Sequence, residues 1–505
     1  MRFLSEGHFP HSIAFWYQLP CCKILSIMSN GHSNLALQLS RDEMLAFGHE
    51  IVAIIVAHLE NLSNKPVVRK MDRSSLEKRL REPLPERGVE IGTVIRQLQE
   101  NIFANIMHND HPRCFSFIPG PSNFVSIMAD ALASGFNVIA ADWLEASGPS
   151  EVELVTVDWL RQLCGLPESA GGLFVSGGSM ANLISLGTAR HAMLRGKTAG
   201  AVVYCSDQTH SSVERALQVL GFETAQLRKL PSDDLFRLSV ACLKREVTAD
   251  RAAGKVPFCV IANAGTTNTG AVDPLVETAE VCRQEGLWFH VDGAYGAPAV
   301  LCEKGHSLLR GLHLADSLTL DPHKWLFQPF EIGCVLIRDV HLLKGAFAIR
   351  PEYLKDLEST GEEINFCDYG IQLTRSFRAL KLWMSLKVFG LQAFREAVAR
   401  GFVLAEFAET LLRASPYWEI VTAATMGIVT FRFVQEGGSQ HDVDRINQQI
   451  VDEIFKEGFA TASSTRLLGR KVLRLCTINP RTTEDDIRQT VFRMEHFGRL
   501  ACRPA

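Results

Sequence analysis

Between about residues 116 and 385, short apolar runs alternate with helix-patterned stretches, and this alternation constrains the fold more than any other feature of the chain. The runs are Leu173-Phe174-Val175, Ala201-Val202-Val203-Tyr204-Cys205, Phe258-Cys259-Val260-Ile261-Ala262, Trp288-Phe289-His290-Val291 and Cys334-Val335-Leu336-Ile337. A strand with one wet face alternates apolar and polar residues, whereas a strand covered on both faces is apolar nearly throughout. Helix-like segments over Met180–Arg195 and Leu275–Gln284 lie between these runs. The pattern predicts an α/β domain on a largely parallel sheet. In such a sheet, sites gather where strand carboxyl ends meet the loops.

A chain of 505 residues exceeds one simple core, so further domains are expected. Over 386–505 the pattern becomes that of a smaller α+β domain. Phe394, Val398, Phe402 and Leu404 lead a long helix stopped by Pro416. Strand-like Ile428–Val434 then precedes a helix carrying Val443, Ile446, Ile450 and Ile454, and strand-like Val472–Cys476 precedes one opened by Thr483 and carrying Ile487 and Val491. On the N-terminal side, 29–115 reads as a helical segment. Its first helix starts at the capping box Ser40-Arg41-Asp42-Glu43, carries Met44, Phe47, Ile51, Ile54 and Ile55 at helical spacing, and ends near Asn61. Pro66, Pro83 and Pro85 punctuate the next stretch, which leads to a helix-like run near Ile91–Ile106. The segment has too few apolar residues to stand alone, and a partner subunit is the expected support. In residues 1–28, Ile13-Ala14-Phe15-Trp16-Tyr17 imitates a signal peptide, but Glu6, His8, His11, Gln18 and two prolines break the pattern. We expect Met28 to be the natural start, the preceding stretch being a leader.

Charge and cysteine usage narrow the class. A net charge of −4 gives no electrostatic footprint for nucleic acid or an anionic membrane. The 13 cysteines form no CxxC pair and no His/Cys cluster at metal-ligand spacing, which suggests reduced thiols in a cytoplasmic enzyme and no metal site.

The chemistry-bearing residues fall in loops after the strands. Lys324 lies in Asp321-Pro322-His323-Lys324-Trp325, wedged among Trp and Phe, where apolar neighbours would favour the neutral, nucleophilic amine. A strand-end lysine that reaches solvent is the ordinary alternative. Ser176-Gly177-Gly178-Ser179 joins a strand to a helix and reads either as a tight capped turn or as an anion cradle at a helix N-terminus. Asp292 ends a buried strand in His290-Val291-Asp292-Gly293-Ala294, and a carboxylate there needs a partner. A pyridinium nitrogen, an arginine or a helix cap would each serve. His210, in Ser206-Asp207-Gln208-Thr209-His210-Ser211-Ser212, could stack on a ring, shuttle protons or merely cap a helix. Ala264-Gly265-Thr266-Thr267-Asn268-Thr269-Gly270 is a hydroxyl-rich loop after a strand. Jointly these parts suit pyridoxal phosphate: a helix N-terminus for the phosphate, an acid for the ring nitrogen, a histidine over the ring and a lysine for the aldehyde.

From about Ser40 to Arg499 the sequence resembles the group II pyridoxal-phosphate decarboxylases, within them the aromatic-L-amino-acid decarboxylase branch. The specific motifs lie between Phe115 and Phe377. Asp321–Trp325 resembles the family's lysine signature, His290–Ala294 its ring-nitrogen motif, Asp207–Ser212 its stacking-histidine loop and Gly265-Thr266-Thr267 a cofactor-contact loop. The resemblance implies the fold type I transferase architecture: a large domain over 116–385 with a seven-stranded, mostly parallel sheet, plus the smaller C-terminal domain. It also implies a homodimer with the site at the subunit interface. Lys324 would hold the cofactor covalently, and Gly178, Ser179, His210, Thr267, Asp292, Ala294, Ser317 and His323 would contact it.

Pro351-Glu352-Tyr353-Leu354-Lys355 resembles the family's mobile loop, whose tyrosine returns a proton to Cα. Family members that make aldehydes commonly carry Phe at that position or Asn at the histidine position, whereas this chain has Tyr353 and His210. Amine formation is therefore expected, with aldehyde synthesis as the alternative. Phe117-Ile118-Pro119-Gly120 corresponds to the segment shaping the side-chain pocket; its apolar character favours tryptophan, phenylalanine, tyrosine or DOPA over glutamate or 2,4-diaminobutyrate. Gly120 and Ala141 are smaller than the residues usual there, which implies a wider pocket. Asp321 replaces an amide residue near the phosphate. An aminotransferase would share Asp292 and Lys324 but would need a carboxylate-binding arginine, for which Arg375 is the candidate.

Overall fold

The computed structural model describes residues 37–349, 362–435 and 437–502. One compact unit ends at Lys65 and a second begins at Pro66. In the first, the helix Arg41–Glu60 opens on the expected capping box: the Ser40 hydroxyl accepts the Glu43 N–H, and the Glu43 carboxylate accepts the Ser40 N–H at 2.8 Å. Asn61 ends it, and none of its residues is buried.

The second unit contains the seven strands β1 (Gly171–Val175), β2 (Ala201–Ser206), β3 (Leu227–Leu230), β4 (Val256–Asn263), β5 (Trp288–Asp292), β6 (Ser317–Leu320) and β7 (Gly333–Ile337). They form one sheet in the order β1-β7-β6-β5-β4-β2-β3. Neighbours from β6 through β3 are parallel, and β7 runs antiparallel between β6 and β1. Helices including Gly178–Leu194, Val240–Ala252 and Leu275–Glu285 connect the strands, and the apolar runs read from sequence lie buried in the sheet. β3, Leu-Arg-Lys-Leu, lies outside the apolar runs because it is an edge strand whose two cations hide its period.

The C-terminal part adds a four-stranded antiparallel sheet in the order β10-β11-β9-β8, from β8 (Trp418–Thr425), β9 (Ile428–Phe433), β10 (Ser463–Leu467) and β11 (Arg470–Cys476). The helices Gln440–Glu457 and Glu484–Ala501 bury Ile446, Ile450, Ile454, Ile487 and Met494 in one cluster with Val429, Phe431 and Leu473. The expected division at 385/386 falls inside the helical stretch Ala379–Arg413, which breaks into two helices at Gly390, where φ is 72° and ψ 158°. Before the break, Ala379 and Leu382 pack into the core of the large sheet; after it, the helix gives Phe394, Val398 and Phe402 to that core and Leu404, Ala408 and Leu412 to the small one. One helix thus serves two cores. The run over Ile91–Ile106 is helical but irregular, an α-helix over Ile91–Gln97 passing into a π-turn and a 3-10 turn.

Candidate active site

Five loops leave the carboxyl ends of β1, β2, β4, β5 and β6 and line one cavity of about 280 Å³. That places the cavity near the lower edge of small-ligand pockets, roughly 300–1,000 Å³. Gly178, Ser179, His210, Thr267, Asp292, Ala294, His323 and Lys324 all line it, as does Asp321.

Lys324 and Trp325 point to opposite sides of their turn. Trp325 is fully buried, its ring stacked against Tyr295 at 5.4 Å and Phe402 at 5.3 Å between centroids. Lys324 faces the cavity with its Nζ 2.9 Å from Asp321 Oδ2. The apolar neighbours noted in the sequence therefore anchor the turn rather than surround the amine, whose immediate neighbour is a carboxylate. Asp321 is 1% exposed; its Oδ1 has no hydrogen-bond partner, and its Oδ2 lies 3.6 Å from His323 Nε2. His323 Nδ1 accepts the Ile332 N–H at 3.2 Å, so a neutral ring carries its proton on Nε2, toward Asp321. Burial disfavours the protonated ring more than Asp321 favours it, which holds the His323 pKa below the ordinary value.

Asp292 is held by neutral donors. Its Oδ2 accepts from Asn182 Nδ2 at 3.0 Å, and its Oδ1 accepts from Thr319 Oγ1 and the Ala294 N–H, each at 3.1 Å. Burial alone would raise its pKa, but the Asn182 hydrogen bond and the nearby His290, Lys324 and Ala294 N–H outweigh it, so the carboxyl stays below its usual range. An ionised carboxylate hydrogen-bonded by neutral donors at the cavity wall is matched to a cationic ring nitrogen.

The glycine turn is fixed by close approach. A Cβ on Gly178 would stand 2.8 Å from the Ala294 Cβ and 2.9 Å from Asp321 Oδ2, and one on Gly177 would stand 3.1 Å from His323 Cε1. Gly178 and Ser179 open the helix Gly178–Leu194, so an anion beside them meets the positive end of its dipole. His210 caps the helix Ser211–Val219 through Nδ1, which accepts the Ser212 N–H at 3.2 Å. Desolvation by the cavity wall opposes its protonation more than Asp292 favours it, so its pKa is lowered. Capping and lining are compatible roles, and His210 has both.

Some expected residues stand elsewhere. Ser317 does not line the cavity; its hydroxyl lies 2.8 Å from Trp288 Nε1 and 2.8 Å from His290 Nδ1, one layer behind Asp292. Phe117, Ile118, Pro119 and Gly120 are also outside the lining. Phe117 is 60% exposed, its carbonyl accepting from Arg474, and Gly120 lies against the Phe330 ring. Tyr353 lies outside the described residues. Arg375 is buried on Glu153 and on the carbonyls of Ala140 and Phe174, which removes it as a substrate-carboxylate binder. The sequence reading missed Asn182, Asn263 and Ser212, which line the cavity. Asn182 sits one helical turn past Gly178, a spacing that puts both on one face.

The residues present fit pyridoxal phosphate: a lysine amine for its aldehyde, Asp292 for its ring nitrogen, and a glycine turn at a helix N-terminus for its phosphate. Only Asp321, a carboxylate touching that turn, has no obvious place in the scheme. A family model described as the pyridoxal-dependent decarboxylase conserved domain matches residues 74–434. The aromatic-L-amino-acid decarboxylase of Bacillus atrophaeus is 50% identical over 461 residues, 91% of this chain and 96% of the relative. The phenylacetaldehyde synthase of Arabidopsis thaliana is 30% identical, covering 92% of this chain and 97% of the relative. Among solved structures, Oryza sativa TDC with PLP and tryptamine superposes with a TM-score of 0.86 at 30% identity, covering 92% of this chain and 99% of that one. The chain belongs to the pyridoxal-dependent decarboxylase family.

Proposed function

We propose that this carboxy-lyase decarboxylates an aromatic L-amino acid (tryptophan, phenylalanine, tyrosine or DOPA), releasing the amine and carbon dioxide. The convergence of Lys324, Asp292 and His210 on one cavity carries the reading of the site. The half-identical aromatic-L-amino-acid decarboxylase carries the substrate class. Bound pyridoxal phosphate supplies an electron sink for the charge left on Cα when a bond to it breaks. The chain's own residues do the rest. Lys324 holds the cofactor, the Gly178–Ser179 turn its phosphate, Asp292 its ring nitrogen, and the small Ala294 lets the ring approach the backbone. His210 stacks on the ring, Thr267 and His323 make side contacts, and Tyr353 returns a proton to Cα. Phe117, Ile118, Pro119 and Gly120 shape the side-chain pocket. We place that pocket at the interface of a homodimer, a reading supported by the exposed Phe117 and by the helix Arg41–Glu60, which buries none of its residues. Among the described residues no helix is long and apolar enough to cross a membrane, and the free cysteines support a cytoplasmic site.

The test is a panel of the aromatic amino acids, glutamate, 2,4-diaminobutyrate and histidine with the purified enzyme, scoring amine, aldehyde and carbon dioxide. Amine and carbon dioxide from aromatic substrates without added keto acid are expected. Turnover confined to glutamate or 2,4-diaminobutyrate overturns the substrate class. Aldehyde as the main product would favour the activity named for the Arabidopsis relative, against which Tyr353 and His210 stand.

A further inference from the structure

We propose that Asn182 and His290 are positioning residues: a one-way chain of hydrogen bonds starting at Trp288 fixes the Asn182 amide so that it serves Asp292 and His210 at once. The inference rests on the reading of Asp292 and His210 as the two groups that face the cofactor ring. Direction is set at the carboxylate, which can only accept: Asn182 turns Nδ2 to Asp292 Oδ2, so its Oδ1 faces His290 Nε2 and the ring proton belongs there. The Trp288 indole N–H can only donate, and it donates to Ser317 Oγ at 2.8 Å. Because the ring proton is on Nε2, Ser317 turns its own proton to His290 Nδ1, 2.8 Å away. The Nε2 proton goes to Asn182 Oδ1 at 3.0 Å. A flipped Asn182 amide would set its oxygen against the carboxylate, so its orientation is decided.

The Asn182 Nδ2 protons are thereby committed, one to Asp292 Oδ2 at 3.0 Å and one to Ser212 Oγ at 2.9 Å. Ser212, having accepted, donates to His210 Nδ1 at 2.8 Å. Trp288, Ser317, His290, Asn182 and Ser212 are all buried, so water does not compete for these bonds. Along the branch to Asp292 every donor points toward the carboxylate, and the aligned dipoles reinforce one another in favour of its ionised form. One amide thus ties the acid of one wall to the histidine of another. Burial of the His290 ring, which keeps it neutral, agrees with this arrangement.

The experiment uses cofactor-loaded wild type, His290→Phe, His290→Gln, Asn182→Leu and Asp292→Asn, following the pH dependence of the bound cofactor's visible absorbance together with kcat and KM. His290→Phe and Asn182→Leu are expected to lower kcat about tenfold, the worth of one hydrogen bond to a charged group, with KM held within about twofold. Both should shift the absorbance titration in the direction taken by Asp292→Asn. His290→Gln, whose amide N–H can still reach Asn182 Oδ1, should recover most of the loss. A packing role predicts the opposite order, because Phe fills the buried site better than Gln. An unshifted titration with wild-type kcat in His290→Phe overturns the proposal, as does equal loss in Phe and Gln. If His290→Phe does not fold, Ser317→Ala carries the test, with the same directions of change expected. An unshifted Asp292→Asn spectrum would overturn the assignment of Asp292, and the proposal with it.

Discussion

Gly178 shows how tightly a single residue can be specified. Its missing side chain is what lets the turn after β1 lie against Ala294 and Asp321, since an added Cβ would be 2.8 Å from one and 2.9 Å from the other. Neither neighbour is free to retreat: Ala294 is the residue that holds Asp292 through its N–H, and Asp321 is buried beside Lys324. Gly178→Ala should therefore cost about 1–3 kcal/mol of stability, the range for overpacking a closed site. It should also weaken cofactor binding by displacing the helix start. Urea unfolding of the apo-protein reads the first effect and a cofactor titration the second, and a variant with wild-type values in both would show that the turn has slack. Trp325 illustrates the complementary case. Its apolar surroundings are visible in the sequence, but adjacency along the chain does not say which side chain they serve: they pack the indole, while Lys324 next door faces a carboxylate.

Among the elements, legibility followed burial. The strands β1, β2, β4, β5 and β7 were readable because both faces are covered, which leaves unbroken apolar runs. The edge strands β3, β8 and β10 were not, since each mixes charged or hydroxyl residues into a half-exposed surface. The loop residues Lys324, Asp292 and His210 were legible as a joint chemical set. Asn182 was not, because its one-turn spacing from Gly178 becomes a signal only once the glycine turn and the partners of the amide are known. β5 itself carries a testable consequence. Burial pushes the His290 pKa down to about 4, whereas an unfolded chain binds that proton below about 6.5. The folded state therefore loses stability from this group as pH falls from about 6.5 toward 4, and keeps it above that window. His290→Gln lacks the term, so its unfolding free energy should fall less than that of wild type between pH 7 and pH 5, by on the order of 1–3 kcal/mol. Parallel urea curves at the two pH values decide it; equal losses in both proteins would mean that His290 is not the neutral, buried ring described.

At the scale of the whole molecule, exposed apolar rings near the cavity bear on assembly. Phe117 has a positive φ of 53°, an uncommon conformation for a bulky residue, and it holds that conformation while 60% exposed. Its carbonyl is fixed by Arg474 at 2.7 Å, so the segment is placed deliberately even though the ring has little to cover it within one chain. Phe330, 55% exposed, lies over Gly120 and stands 5.0 Å from the His323 ring. Apolar rings left in the open near a site are what a subunit interface requires before it forms. If a second copy covers them, sedimentation of the purified enzyme should give a dimer, and Phe117→Asp should weaken it by burying a charge in the contact. Activity of that variant should then fall on dilution and recover on concentration, while wild type stays constant over the same range. A fully monomeric Phe117→Asp enzyme with undiminished kcat would show that one chain builds the whole site, and would remove the dimer from the account of substrate binding.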